Sequence, residues 1–332
     1  MMRGLRKRLS WWNWEPAAHT ERGRIGNPLP NIARTEVLLY SQSEDKTERR
    51  NAMRIIRWAA VALLAGAMAA VAGNTGTDPA HRYAWGENVG WANAGPTNHE
   101  VLVHYYEGSG GWLSGHACGE NIGWIVMGSA GGGPYANTAS NNWGVNLAAD
   151  GDLSGYAWGE NVGWINFGAA QCDAAINPAN GEFSGHAWGE NIGWLKFKGT
   201  SPDYGVRSLA FYTQAQGTPN WWLDAHGVTE GYDAGDGVPA SAKYVMDTDP
   251  NVEGNYLRIT SVSNATAETE VAFTPASTRR YYTLTRREDL TAGGWSNVVG
   301  HVSVPGAGGS QTMQDTNAAA RAFYSVEVTV EP

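Results

Sequence analysis

The chain has 332 residues, of which 42% are hydrophobic and 17% charged, and a formal net charge of −9. Of its 23 basic residues 12 lie in residues 1–72, with only 6 of the 32 acids, so residues 73–332 hold 11 bases against 26 acids, a net of −15. A surface so acidic repels nucleic-acid phosphates and anionic lipid; it excludes a nucleic-acid partner and suits contact with cations or neutral sugars.

Residues 1–52 are basic and polar, contain Trp11, Trp12 and Trp14, and show no period. They read as a disordered extension that is not native to the chain, with Met53 as the expected start. Residues 53–72 read as a secretory signal peptide. Arg54 and Arg57 give a positive start, Ala59 to Ala69 is apolar, and Ala70-Val71-Ala72 has the small-x-small pattern of a cleavage site. The apolar run is short for a membrane span. The rival reading is an uncleaved signal anchor, which would be the chain's one membrane contact. The expected location is secreted, extracellular or on the cell surface.

Residues 73–199 repeat themselves. AWGENVGW (84–91), ACGENIGW (117–124), AWGENVGW (157–164) and AWGENIGW (187–194) recur at spacings of 33, 40 and 30 residues. A unit copied at such periods is stacked against its neighbours. The similarity runs wider, since DGDLSGYAWGENVGWINF (150–167) aligns with NGEFSGHAWGENIGWLKF (180–197). Glycine and asparagine punctuation is dense and no helical period occurs, so the region is predicted to be all-β: a tandem β-hairpin repeat domain, solenoid or propeller-like. Trp143 to Leu147 is predicted as an extra strand.

Within the motif, Gly159-Glu160-Asn161 is predicted to be a three-residue hairpin loop with Asn161 left-handed. Trp158 then faces Val162, Tyr156 faces Trp164, and all four share one face. The other face carries Gly155, Ala157, Gly163, Ile165 and Phe167. Two roles suit the indoles of Trp85, Trp91, Trp124, Trp158, Trp164, Trp188 and Trp194. Packing between repeats is favoured, because large aromatics usually carry it. Stacking on sugar rings is the second, and it makes these seven the candidate ligand-binding residues. Glu87, Glu120, Glu160 and Glu190 are expected to cap their own turns rather than hold a cation. His116 and His186 stand where Tyr83 and Tyr156 stand in other copies, which marks a packing position rather than a metal ligand. Cys118 takes the place of a motif Trp, and export leaves open a bridge to Cys172.

Residues 200–254 form a connector with a Trp221-Trp222 pair, a short helical stretch and an Asp/Gly-rich segment. Asp233, Asp236, Gly237, Val238, Tyr244, Thr248, Asp249 and Pro250 resemble the thrombospondin type 3-like or dockerin-like calcium segments of exported bacterial proteins. The resemblance implies a Ca²⁺ loop held by Asp233, Asp236, Asp247 and Asp249. Ala234 and Lys243 replace acids of that pattern, and Ca²⁺ wants about 6–8 oxygen ligands. A metal-free spacer is therefore the favoured reading and a working Ca²⁺ site the alternative.

Residues 255–332 are predicted as a C-terminal β-sandwich, with strands at 256–262, 270–273, 281–286, 296–304, 312–315 and 322–330. About 75 residues with this strand count suit an immunoglobulin- or fibronectin-like module, and the pattern RYYTLTRREDLTAGGWSNV resembles C-terminal modules that follow calcium-like segments in exported bacterial proteins. Arg279, Arg280, Arg286 and Arg287 are expected to be solvated on a strand face, with docking to the acidic repeats as the alternative. No Ser/His/Asp arrangement, zinc spacing or phosphate loop stands out, and near-identical repeats do not supply the differing roles an active site needs. The expected function is non-catalytic binding of extracellular glycans or surface polymers by the repeats. The alternative is a purely structural, self-associating surface or matrix protein.

Overall fold

The structure is a computed structural model that describes residues 32–34, 38–41, 76–265, 268–290, 293–317 and 321–331. The expected signal peptide lies outside the described residues. Ile32–Arg34 and Leu38–Ser41, which the sequence reading leaves disordered, form short strands paired with Arg321–Thr329. No helix among the described residues is long and apolar enough to cross a membrane.

The protein is predominantly β. Eight strands build its central feature: β1 (Thr77–Gly86), β2 (Gly90–Asn93), β3 (His116–Gly119), β4 (Gly123–Val126), β5 (Leu153–Gly159), β6 (Gly163–Asn166), β7 (His186–Gly189) and β8 (Gly193–Lys196). Each pairs antiparallel with its neighbours in order, and β8 returns to β1, so the sheet closes into a barrel. Each motif copy supplies one hairpin. The copies therefore join edge to edge rather than stacking as a solenoid or propeller. A lone hairpin has two open edges, and four hairpins in a ring have none.

The barrel is filled by the small face of the motif. Ala84 faces Ala92, Ala117 faces Ile125, Ala157 faces Ile165, and Ala187 faces Leu195 across their hairpins. All eight side chains are buried. Eight strands leave an interior that side chains can fill. What remains is an apolar cavity of about 30 Å³, too small for anything beyond a water and without polar partners to hold one.

The hairpin tips explain the rest of the motif. The loop is Glu160-Asn161-Val162, not Gly159-Glu160-Asn161. Trp158 faces Trp164, Tyr156 faces Asn166, and Gly159 faces Gly163. The left-handed residue is Gly163, at φ +78°, rather than Asn161. This register places Val162 in the loop, where it is buried with its equivalents Val89, Ile122 and Ile192 in the barrel core. Glycine takes the positive φ with less strain than asparagine. Gly159 is needed because a Cβ there would lie 2.3 Å from Val162 Cγ2.

Each motif Asn links two copies. Asn88 Nδ2 donates to the carbonyl of Ile192 (3.2 Å), Asn121 to Val89 (3.0 Å), Asn161 to Ile122 (3.3 Å) and Asn191 to Val162 (3.0 Å). These four bonds make a complete ring around one end of the barrel. They satisfy carbonyls at the tips that the strand ladder leaves free.

β5 runs beyond the barrel and carries a smaller set of strands, Val145–Leu147, Gly110–Ser114 and Leu102–Tyr106. The predicted extra strand thus begins at Val145 rather than Trp143. Two short helices follow, α1 (Asn220–His226) and α2 (Ala240–Met246). Trp221 and Trp222 are buried, and Trp221 packs edge-on against Tyr105, 5.3 Å between ring centroids. The C-terminal region holds a three-stranded sheet, Arg258–Ala265, Glu268–Thr274 and Gln311–Asp315, and a second sheet centred on Tyr281–Arg287 and Arg321–Thr329.

Arginine joins these regions. Arg280 is not solvated but 1% exposed. Its guanidinium donates to the carbonyls of Tyr244 (3.0 Å) and Val245 (2.9 Å) near the end of α2, and to Glu107 (3.1 Å) between two strands of the repeat region. Arg279 binds Asp247, and Arg286 binds Asp315 (2.9 Å). These three expected surface charges are thus held in ion pairs, because each meets a carboxylate brought by another segment.

Candidate functional site: an aromatic belt and groove

The same alternation that turns alanine inward turns the motif aromatics outward. Trp124, Trp158, Trp164, Trp188 and Trp194 are 37–46% exposed, and Trp85 and Trp91 are half-buried. The favoured packing role is thereby corrected. None of the seven lies in the barrel core, which alanine, aliphatic side chains and the rings of Phe167, Phe183 and Phe197 fill.

The structure brings the indoles together in pairs. Trp85 and Trp91 meet edge to face at 4.7 Å, Trp158 and Trp164 at 4.8 Å, and Trp188 and Trp194 at 4.9 Å. Trp124 faces Cys118 instead. A further ring joins each copy: Tyr83 on Trp91, His116 on Trp124, Tyr156 on Trp164 and His186 on Trp194, at 5.9–6.1 Å. Edge-to-face geometry is the favourable one for aromatic pairs, and it leaves part of a ring face turned to solvent.

The belt is uneven. Trp143 covers Trp164, His99 covers Trp124, and Tyr204 covers Trp91, all within 5.3 Å. Between the fourth and first hairpins the belt opens into a groove of about 560 Å³, walled by Trp85, Trp91, Trp194 and Tyr204. Its polar groups are Glu87, His186, Lys196 and Ser201. The register explains the convergence, since Lys196 sits between His186 on β7 and Trp85 on β1. The matching positions on the other hairpins are Asn93, Val126 and Asn166. His186 Nδ1 lies 2.9 Å from Asp173, and the His186 ring and backbone N–H hold that carboxyl below the usual carboxylate range.

The sequence missed Lys196 and Tyr204. Lys196 was legible as the one base among four equivalent positions. Tyr204 lies outside the repeats, and nothing in them announces it. Glu87, Glu120, Glu160 and Glu190 are all exposed at the tips. Cys118 and Cys172 both carry free thiols, and Cys172 Sγ lies 3.3 Å from the carbonyl of Asn166.

The four candidate calcium ligands are not brought together. Asp233 accepts backbone N–H bonds from Gly235, Asp236 and Gly237 within its own turn. Asp249 accepts one from Asn251 (2.8 Å). Asp247 is taken by Arg279 and Ser277. Asp236 pairs with Lys243 Nζ at 2.8 Å, their side chains 6% and 1% exposed, and Nζ also donates to the carbonyl of Val252 (2.9 Å). Burial alone would push the Asp236 carboxyl up. The Lys243 ammonium and the N–H groups of Gly254 and Val238 outweigh it and hold the carboxyl below the usual range. These donors do not fit a Ca²⁺ cage, because the Lys243 ammonium takes Asp236 and the Arg279 guanidinium takes Asp247. Among the described residues no three His, Cys, Asp or Glu side chains are grouped to hold a metal.

Comparison with protein-family models, with curated proteins and with solved structures returned no match.

Proposed function

We propose that this is a secreted, non-catalytic protein of the extracellular space or cell surface that binds glycans or similar surface polymers through the aromatic belt of its barrel. The observation that carries the reading is the outward placement of seven indoles around a core already filled by alanine, aliphatic and phenylalanine side chains. Packing does not account for rings left 37–46% exposed. Contiguous exposed apolar surface rimmed by polar groups marks an interaction site. Flat indoles beside amides, hydroxyls and a carboxylate suit pyranose rings and their hydroxyls. The two C-terminal sheets are read as the layers of an immunoglobulin-like module that serves as spacer or anchor.

A glycan array probed with the full chain tests this. Hits that fade with Trp194→Ala or Trp164→Ala support it. A blank array, with a mass that rises with protein concentration, favours the structural, self-associating alternative.

A further inference from the structure

We infer that the groove between the fourth and first hairpins is the principal ligand seat, and that it takes an otherwise neutral glycan bearing an isolated carboxylate, such as one uronic acid unit. The inference rests on the glycan-binding reading and names the ligand's chemistry.

Four hairpins of nearly one sequence present four nearly equal faces, so a ligand seat is expected where the symmetry breaks. It breaks at this groove, where Lys196 stands at the position of Asn93, Val126 and Asn166. Its volume of about 560 Å³ falls within the ~300–1,000 Å³ typical of ligand sites. Aromatic rings bound it from both hairpins, and Tyr204 adds a wall from outside the repeats.

Lys196 sets the charge preference. It is exposed, and no carboxylate among the described residues pairs with it. The neighbouring cations are engaged: Lys198 binds Glu182 at 3.0 Å, and the Arg82 guanidinium lies over the Tyr83 ring, 5.4 Å from its centre. Asn93, Val126 and Asn166 show that the fold does not need a cation at this register position. Lys196 thus supplies a free ammonium between Trp85 and His186, within reach of a sugar seated on either.

Two features limit the ligand to one charge. Glu87 lines the same groove, where it accepts hydrogen bonds from hydroxyls and repels a second carboxylate. The net charge of −15 over residues 73–332 repels densely anionic polymers as a whole. His186, oriented by Asp173 through Nδ1, keeps Nε2 for a ligand hydroxyl.

The test uses the full chain in titration calorimetry against oligosaccharide pairs that differ in one carboxylate: glucuronate in place of glucose, and galacturonate in place of galactose. In at least one pair the carboxylated member should bind about fivefold tighter, the upper range for a solvent-accessible ion pair. The gap should narrow with added salt. Lys196→Asn, which installs the residue found at positions 93 and 166, should remove the gap by weakening the carboxylated member. Trp194→Ala should weaken both members. Equal binding within every pair, or a gap that survives Lys196→Asn, overturns the inference and leaves the proposed function standing. No binding by any member overturns both.

Discussion

Tryptophan has opposite fates in two regions of this protein. In the barrel the motif indoles lie outside, six of them in pairs, over a core of alanine, aliphatic and phenylalanine side chains. In the connector Trp221 and Trp222, both on α1, are 8% and 6% exposed, packed against Tyr105 and Tyr244. The difference is set by available volume rather than by hydrophobicity. An eight-stranded barrel that already holds Phe167, Phe183 and Phe197 encloses too little space for seven indoles as well, so its sequence puts alanine at facing positions inside and the indoles outside. The connector has no closed sheet to fill its interior, and it uses the large rings for that purpose.

The largest expected effect breaks this contrast directly. Trp221→Ala should cost about 3–5 kcal/mol of stability, as truncation of a buried aromatic does. Denaturant unfolding should report it as a lower midpoint at nearly constant slope.

Lys243→Met should cost a similar or slightly smaller amount, about 3 kcal/mol, because it strands the buried Asp236 carboxylate. Added Ca²⁺ should not restore the stability of the unsubstituted chain, since the remaining donors do not converge. The barrel offers no parallel, as its core holds no ion pair.

Acidification sharpens the comparison further. Asp236 and Asp247 are held below their usual range, against the upward push of burial, by Lys243 and by Arg279 with Ser277 respectively. A carboxyl with a depressed folded pKa contributes stability that is fully present above its unfolded value, ~3.9 for Asp, and lost as pH falls through the folded value. Thermal midpoints should therefore fall as pH drops below about 4. The Lys243→Met variant should show a smaller loss, because Asp236 is no longer held down.

The smallest effects belong to the barrel surface. Asn161→Ala should cost about 1 kcal/mol, one bond of the tip ring. Trp164→Ala should cost about 0.5–1.5 kcal/mol, the worth of an edge-to-face pair, and should tell on binding more than on folding.

Much of the barrel was legible in the sequence. The repeat spacing gave the four hairpins, and the strand period put Trp158 and Trp164 on one face with Ala157, Ile165 and Phe167 on the other. The loop register was not legible. Gly-Glu-Asn and Glu-Asn-Val both make a plausible three-residue turn, and only burial of Val162 at the barrel end separates them. Closure was hidden for a related reason. The Asn161 bond to Ile122 joins residues 39 apart, and a local pattern carries no trace of it. The connector was less legible still. Lys243 reads as a missing acid, and only the fold shows its ammonium seated between Asp236 and the carbonyl of Val252. Arg280 reads as one of a basic cluster until Glu107, 173 residues away, meets it.

The central claim is that the motif indoles face solvent while the connector pair does not. Hydroxyl-radical footprinting of the native full chain, read by mass spectrometry, measures both in one sample. Oxidation of Trp124, Trp158, Trp164, Trp188 and Trp194 is predicted to run well ahead of that of Trp221 and Trp222. Motif indoles as protected as the connector pair would put them back in the core and contradict the account.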